Sequence, residues 1–218
     1  MIKLSASFNP CPEEKSAEYC RNLQDMKVDY VHCDIMRENF VGHDALNLNT
    51  IKEVWDNVVV PLDVHIMEAE PFSTLKSVVK IKPHIITVHY EAFKNDKDLM
   101  KAFDIIRKNH MLVGLSIKPN TFIKDIKHLL PLVDVVLVMG VDPGKSGQKM
   151  ISNTIPKIKE LRSIIYEYDY PVKIEVDGGV NEDNLKALAD AGVDMVVMGS
   201  CLFNSSSRAK LIEKVHKL

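Results

Sequence analysis

The chain has 218 residues, of which 46% are hydrophobic and 27% are charged, which is typical of a soluble globular protein. A formal net charge of −2 and a pI near 6.4 argue against a basic surface for nucleic acid or for an anionic membrane. No Pro/Gly/Ser-rich linker or low-complexity segment divides the chain, so we predict a single domain over residues 1–218.

Targeting and redox signals are weak in this sequence. The apolar runs, such as Val133–Met139, are too short to cross a bilayer, and the first ten residues do not resemble a signal peptide. The four cysteines form no Cys-x-x-Cys pair, so neither a zinc site nor a disulfide framework is indicated. We therefore expect reduced thiols in a cytoplasmic protein.

Short β-branched runs alternate with longer stretches of helical periodicity along the whole chain. The predicted strands are Ile2–Ser7, Tyr30–Ile35, Val58–Ile66, Ile85–His89, Leu112–Ile117, Val133–Met139, Val172–Val176 and Met195–Gly199. Stretches such as Glu13–Leu23 and Ile155–Tyr166 mix Leu, Ile and Ala with charged residues at helical spacing. Eight such βα units predict an α/β fold, the closed (β/α)8 TIM barrel, with a doubly wound open sheet as the competitor.

The second predicted strand, "YVHCDIM", turns two polar side chains to one face. His32 and Asp34 stand at alternate positions, and alternate residues of a strand point the same way. His65 ends the third strand, and Asp177 closes the seventh. Because barrel enzymes build their active sites at the carboxyl ends of the strands, we expect these four side chains to meet at the mouth of the barrel.

Two imidazoles and two carboxylates suit a divalent metal ion such as zinc, iron, manganese or cobalt. The residue types do not select one of these metals. Since the four residues come from distant strands, their spacing alone does not require a metal. A polar cluster whose members satisfy one another inside the barrel is the alternative.

Glycine-rich turns follow the sixth, seventh and eighth predicted strands. Glycine allows backbone N–H groups to approach an anion closely, and barrels often bind phosphate in the loops after strands seven and eight. Simple turn chemistry is the alternative, but three such turns on adjacent strands favour a phosphate site. The residues concerned are Gly144, Lys145, Ser146, Gly147, Gly178, Gly179, Gly199 and Ser200.

Six motifs, in order, resemble those of the ribulose-phosphate 3-epimerase family. They are "HCDIM", "DVHIM", "TVHYEA", "VDPGKSGQKMI", "EVDGGV" and "AGVDMVVMGSCLF". The resemblance covers nearly the whole chain. It implies a phosphate-binding TIM barrel that interconverts D-ribulose 5-phosphate and D-xylulose 5-phosphate in the pentose phosphate pathway, acting on a small sugar phosphate as a dimer or a larger homo-oligomer.

The resemblance also implies roles for individual residues. His32, Asp34, His65 and Asp177 would bind one divalent metal ion per subunit, and Asp34 and Asp177 would be the two acid/base groups. Ser5 and His65 would contact the substrate, and the glycine-rich turns would line the sugar-phosphate site. Such chemistry needs two carboxyl groups on opposite faces of an enediolate and a cation near its oxygens.

Two loops depart from the family pattern and leave the substrate open. Arg37 replaces the usual aspartate after the second strand, and Lys145-Ser146 replaces a Phe-Gly pair after the sixth. A hexulose phosphate such as allulose 6-phosphate, or a tetrulose phosphate, is therefore an alternative substrate. An aldol lyase and a non-catalytic sugar-phosphate binder are alternatives of other classes.

Overall fold

A computed structural model describes all residues from Met1 to Leu218, and its core is a closed barrel of eight parallel strands. Each strand pairs with the next one in the chain, and the last pairs with the first. The strands, β1 to β8 in chain order, are Lys3–Ser7, Tyr30–Met36, Leu62–Met67, Ile85–His89, Leu112–Ile117, Val135–Met139, Lys173–Asp177 and Met195–Met198. The predicted (β/α)8 fold is confirmed.

Ten α-helices connect or follow the strands. These helices, α1 to α10, are Ser16–Asp25, Glu38–Val41, Leu48–Asn57, Phe72–Val78, Asp96–Lys108, Ile123–Ile126, Thr154–Glu167, Leu185–Ala191, Ser200–Phe203 and Arg208–His216. Four short 3-10 helices add Glu13–Lys15, Val79–Ile81, Tyr90–Ala92 and Lys127–Leu132. No helix combines the length and the apolar character needed to cross a membrane.

Helix α5 shows how the sequence builds the outer layer. The Asn95 side chain accepts the backbone N–H of Asp98 and so caps the helix at its first turn. Leu99, Phe103 and Ile106 then recur at helical spacing and are buried. The helix therefore packs one apolar stripe onto the barrel and leaves its charged residues to the solvent.

The third predicted strand begins too early. Val58–Ile66 opens with an apolar run of three valines, but regular pairing starts only at Leu62. The backbone N–H groups of Val59 and Val60 donate to the side-chain oxygen of Gln24, at 2.7 and 3.3 Å, instead of to a neighbouring strand. Val59 is 89% exposed, so its apolar character does not mark a strand residue.

The inside of the barrel changes from apolar to polar along its axis. Tyr30, Ile85, Val135 and Met195, from alternate strands, form a small apolar cluster near the amino ends of the strands. Toward the carboxyl ends, the inward positions of the strands are occupied by histidine, serine and carboxylate side chains that are fully or largely buried. The fold thus gathers buried polar groups at one end, where they must satisfy one another.

Gly114 lies where β4 and β5 approach each other closely. A Cβ atom at this position would lie 2.1 Å from Thr87 Oγ1 and 3.0 Å from Thr87 Cα, in the neighbouring strand. We expect Gly114→Ala to lower the free energy of unfolding by about 1–3 kcal/mol, because strands of a closed barrel cannot separate locally. Urea denaturation measures this loss.

Thr87→Ala provides the control because it removes the atom nearest to the added Cβ. The double variant should lose less stability than the sum of the two single losses. Strictly additive losses would show that the two residues do not compete for this space.

Candidate active site

The structure brings His32, Asp34, His65 and Asp177 together at the carboxyl ends of β2, β3 and β7. His32 Nε2 lies 3.1 Å from Asp34 Oδ1, and His65 Nδ1 lies 3.2 Å from the same oxygen and 3.6 Å from Asp177 Oδ2. One ligand atom from each of the four lies within 4.8 Å of the others. This is the set that the sequence predicts, and its compactness suits a single ion.

Asp63 orients the ring of His32 from inside the barrel. Its Oδ2 lies 2.6 Å from His32 Nδ1, and both side chains are fully buried. Because an ionised carboxylate only accepts hydrogen bonds, His32 Nδ1 donates to Asp63 and Nε2 faces Asp34. The carboxylate therefore selects which nitrogen of His32 faces the cluster.

Glu175 is a second carboxyl group that the sequence analysis missed. It is fully buried, and burial together with the neighbouring charge of Asp63 raises the pKa of Glu175 well above its ordinary value. The sequence carries the signal for both groups. Asp63 precedes His65 by two residues and Glu175 precedes Asp177 by two, so each shares a strand face with a predicted site residue.

The electrostatics of the cluster favour a cation. Burial lowers the pKa of His32, but Asp63 and Asp34 outweigh this effect and raise it well above its ordinary value. Burial raises the pKa of Asp34, but His32 and His65 outweigh it and hold that pKa below its ordinary value. Asp34 and Asp63 thus keep their negative charge and hold a proton on the imidazole of His32. A divalent ion would take the place of that proton, so the donor set fits a metal.

His89 extends the cluster on the side of β4. Its Nε2 lies 2.9 Å from His65 Nε2, and its Nδ1 lies 3.1 Å from Glu91 Oε2. The ring is fully buried, and burial lowers the pKa of His89 to about 4. A neutral His89 therefore links His65 to a carboxylate at the edge of the barrel.

A cavity of about 420 Å³ opens above the cluster, and Asp34 and Asp177 form part of its wall. Met36, Met67 and Met139 line it as well. The glycine-rich turns after β6, β7 and β8 complete it, with every predicted residue present: Gly144, Lys145, Ser146, Gly147, Gly178, Gly179, Gly199 and Ser200. Its volume suits a small ligand.

The structure places two of the predicted substrate contacts, Ser5 and His65, behind the cavity wall. Ser5 is fully buried away from the cavity, and its hydroxyl donates to Asp63 Oδ2 at 2.7 Å. Ser7, two residues further along β1, lines the cavity instead, with its hydroxyl 3.5 Å from Asp34 Oδ2. His65 is also fully buried and does not line the cavity. The sequence pattern turns Ser5, Ser7 and His65 to inward faces of their strands but does not give their position along the barrel axis.

The loop after β6 is held in place by close packing. Gly179 has a φ of +71°, and a Cβ there would lie 2.4 Å from the backbone N of Met150, so only glycine permits this approach. The side-chain amide of Gln148 donates to the carbonyls of Asp142 and Lys145, at 2.8 and 3.0 Å. These contacts fix the backbone that carries Lys145.

The two departures from the family pattern occupy different places. Lys145 lines the cavity and is the only cationic side chain to do so. Arg37 does not line it, and its guanidinium donates to the carbonyl of Met36 at 2.8 Å. Only the first departure therefore changes the charge of the cavity wall.

Comparison with known proteins agrees with the motifs. The model of the "Ribulose-phosphate 3 epimerase family" matches residues 3–203. A protein named ribulose-phosphate 3-epimerase from Helicobacter pylori (strain ATCC 700392 / 26695) is 35% identical over 185 residues, which are 85% of this chain and 84% of the relative. The Bacillus subtilis (strain 168) protein of the same name is 31% identical over 216 residues, 99% and 98% of the two chains.

Solved structures share the fold at low sequence identity. The 3-hexulose-6-phosphate synthase from Salmonella typhimurium superimposes with a TM-score of 0.70 at 15% identity, over 99% of this chain and 97% of the other. KGPDC from Streptococcus mutans gives a TM-score of 0.73 at 12% identity, over 100% and 96%. At such identities the likeness concerns the barrel alone.

Ser5 and Ser7 differ in what their removal should cost. We expect Ser5→Ala to lower the free energy of unfolding by about 1–3 kcal/mol, because Asp63 loses a donor inside the barrel. Ser7→Ala should cost less than about 1 kcal/mol, since its bond to Asp34 is long and the cavity admits water. Urea denaturation of both variants measures the difference, and equal losses would contradict this placement of the two serines.

Proposed function

Because this chain belongs to the ribulose-phosphate 3-epimerase family, a family of isomerases, we propose that it epimerises carbon 3 of a ketose phosphate. The proposed pair is D-ribulose 5-phosphate and D-xylulose 5-phosphate. The observation that carries the proposal is the pair of carboxylates, Asp34 and Asp177, that share the cavity wall with the glycine-rich turns. The two histidines beside these carboxylates complete a donor set for a metal.

In this proposal His32, Asp34, His65 and Asp177 hold one divalent ion, which is zinc, iron, manganese or cobalt. When bound, such an ion stabilises negative charge on substrate oxygens as a Lewis acid. His32 contributes Nε2, because its Nδ1 donates to Asp63. His65 contributes Nδ1, the nitrogen that faces both aspartates.

The two aspartates carry the protons of the reaction. One begins ionised and takes the proton from carbon 3, and the electron pair of the broken C–H bond enters a planar enediolate between carbons 2 and 3. The other begins protonated and gives its proton to the opposite face of carbon 3. The aspartates therefore end each turnover with their protonation states exchanged, which lets the reaction run in either direction.

The glycine-rich part of the cavity wall suits the phosphate. Glycine-rich turns after β6, β7 and β8 present backbone N–H groups to an anion, and Lys145 adds a positive charge. Arg37 lies outside the cavity wall, so this departure from the family pattern gives no reason to replace ribulose 5-phosphate by a longer or shorter sugar. The proposal therefore keeps the family substrate.

Deuterium exchange tests the reaction and both aspartates. The metal-loaded protein in D2O should convert ribulose 5-phosphate into xylulose 5-phosphate deuterated at carbon 3, as followed by proton NMR. Asp34→Asn and Asp177→Asn should each lower the rate by at least about 10²–10⁴-fold, because each removes one acid/base group. Asp142→Asn, at an exposed carboxylate outside the cavity wall, is the matched control. Retained epimerisation in either site variant would refute the roles given to the two aspartates.

Lys145→Gln tests the phosphate end of the cavity. Loss of the only cation in the wall should raise KM about tenfold, equivalent to about 1.4 kcal/mol, while kcat changes little, because the contact is the same in the ground and transition states. Steady-state kinetics measures the two constants. Lys149→Gln, an exposed lysine on the same loop that does not line the cavity, is the control. Equal KM values for the two variants would remove Lys145 from the phosphate site.

A further inference from the structure

Three side chains form a hydrogen-bonded row that leads away from the proposed metal site. Glu91 Oε2 lies 3.1 Å from His89 Nδ1, and His89 Nε2 lies 2.9 Å from His65 Nε2. Both histidines are fully buried. The His89 ring also packs against Phe40, with ring centroids 4.8 Å apart, and it has no surface exposed to solvent.

If His65 Nδ1 gives its lone pair to a cation, only one placement of the protons on the two imidazole rings is possible. His65 must then carry its proton on Nε2, and that proton needs an acceptor. His89 Nε2 is the atom at hydrogen-bond distance, so it must be unprotonated. The proton of His89 is therefore on Nδ1, where Glu91 accepts it.

We propose that His89 and Glu91 are positioning residues that fix the tautomer of His65, so that its Nδ1 presents a lone pair to the metal. The inference rests on the metal site of the proposed function. On the other side of that site Asp63 does the same for His32 in one step, with a contact of 2.6 Å. For His65 the carboxylate is Glu91, at the edge of the barrel, and the imidazole of His89 lies between the two and transmits the choice of tautomer.

Glu91 is held so that one oxygen faces His89. Its other oxygen, Oε1, accepts the backbone N–H of Lys118 at 2.8 Å and the hydroxyl of Thr121. The ammonium of Lys157 fixes the same loop by donating to the carbonyls of Lys118, Pro119 and Thr121, at 3.1, 2.6 and 2.7 Å. Burial raises the pKa of Glu91, but the hydrogen bonds from His89, Thr121 and Lys118 outweigh it and lower this pKa to about 2. Glu91 is therefore an ionised group that only accepts.

Glu91→Gln should reverse the direction of the hydrogen bonds in this row, because glutamine has the shape of glutamate but can donate. If the amide oxygen keeps the bonds to Lys118 and Thr121, the NH2 group faces His89 Nδ1 and donates to it. His89 must then carry its proton on Nε2, which forces the proton of His65 onto Nδ1. That proton occupies the position that the metal requires.

The matched control is Thr121→Val, which removes a partner of Glu91 Oε1 and leaves the contact with His89 in place. Both variants disturb the same loop. Only Glu91→Gln changes the donor that His89 faces.

Zinc affinity, measured by competition with a chromophoric chelator, separates the possible roles. Glu91→Gln should bind zinc about 10–100-fold more weakly than the wild type, the range found when an outer partner of a metal ligand is lost. Thr121→Val should stay within about twofold of the wild type. Unchanged affinity in Glu91→Gln, or equal weakening in both variants, would overturn the proposal.

A second readout needs no variant. In the zinc-loaded wild type, two-bond ¹H–¹⁵N spectra should show His65 protonated at Nε2 and His89 protonated at Nδ1. A proton on Nε2 of His89 would overturn the proposal. A wild type that binds no zinc would refute the metal site itself, and this result appears before any variant is compared. If the wild type binds zinc but does not epimerise, the zinc affinities and the NMR spectra still test the proposal, because neither depends on turnover.

Discussion

The structure depends on the pairing of β2 with β3 inside a closed barrel. A parallel barrel has a dry interior, so each polar side chain that points inward must find a partner on a neighbouring strand. The register between these two strands sets His32 opposite Asp63 and Asp34 opposite His65. Each imidazole thus faces a carboxylate. A shift of β3 by one residue would turn Asp63 and His65 to the other face of the sheet, away from their partners on β2.

This pairing determines which charged groups lie together in the site. The pKa values of Asp34 and Asp63 are held below their ordinary values, and those of His32 and His65 are raised, so negative carboxylates lie beside protonated imidazoles. The wall of the cavity above the cluster adds glycine-rich turns and one cationic side chain, Lys145. In the proposed function, the anionic group of the sugar phosphate lies near Lys145 and its reacting carbons lie near the aspartates.

The sequence predicts much of this arrangement because its periodicities are local. The alternation of eight strands with helices favours the barrel over a doubly wound open sheet. The alternation within "YVHCDIM" is sufficient to turn His32 and Asp34 inward, and the glycine-rich turns all reach the predicted cavity. These inferences need only the geometry of a single strand and the known end of a barrel where ligands bind.

Depth along the barrel axis could not be predicted in the same way. Ser5 and Ser7 have the same periodicity, and only the register with neighbouring strands shows that Ser5 meets Asp63 while Ser7 reaches the cavity. Strand periodicity turns Asp63 and Glu175 inward, but their role depends on partners that are distant in sequence. The start of β3 was misplaced because an apolar residue, Val59, lies in the solvent.

The central claim is that the histidines and aspartates at the mouth of the barrel form one metal site. Anomalous diffraction from crystals grown with manganese, recorded at a wavelength where manganese scatters anomalously, tests it directly. We expect one strong peak per chain, in contact with His32, Asp34, His65 and Asp177. A map with no peak there, or with peaks only at exposed carboxylates, would contradict it.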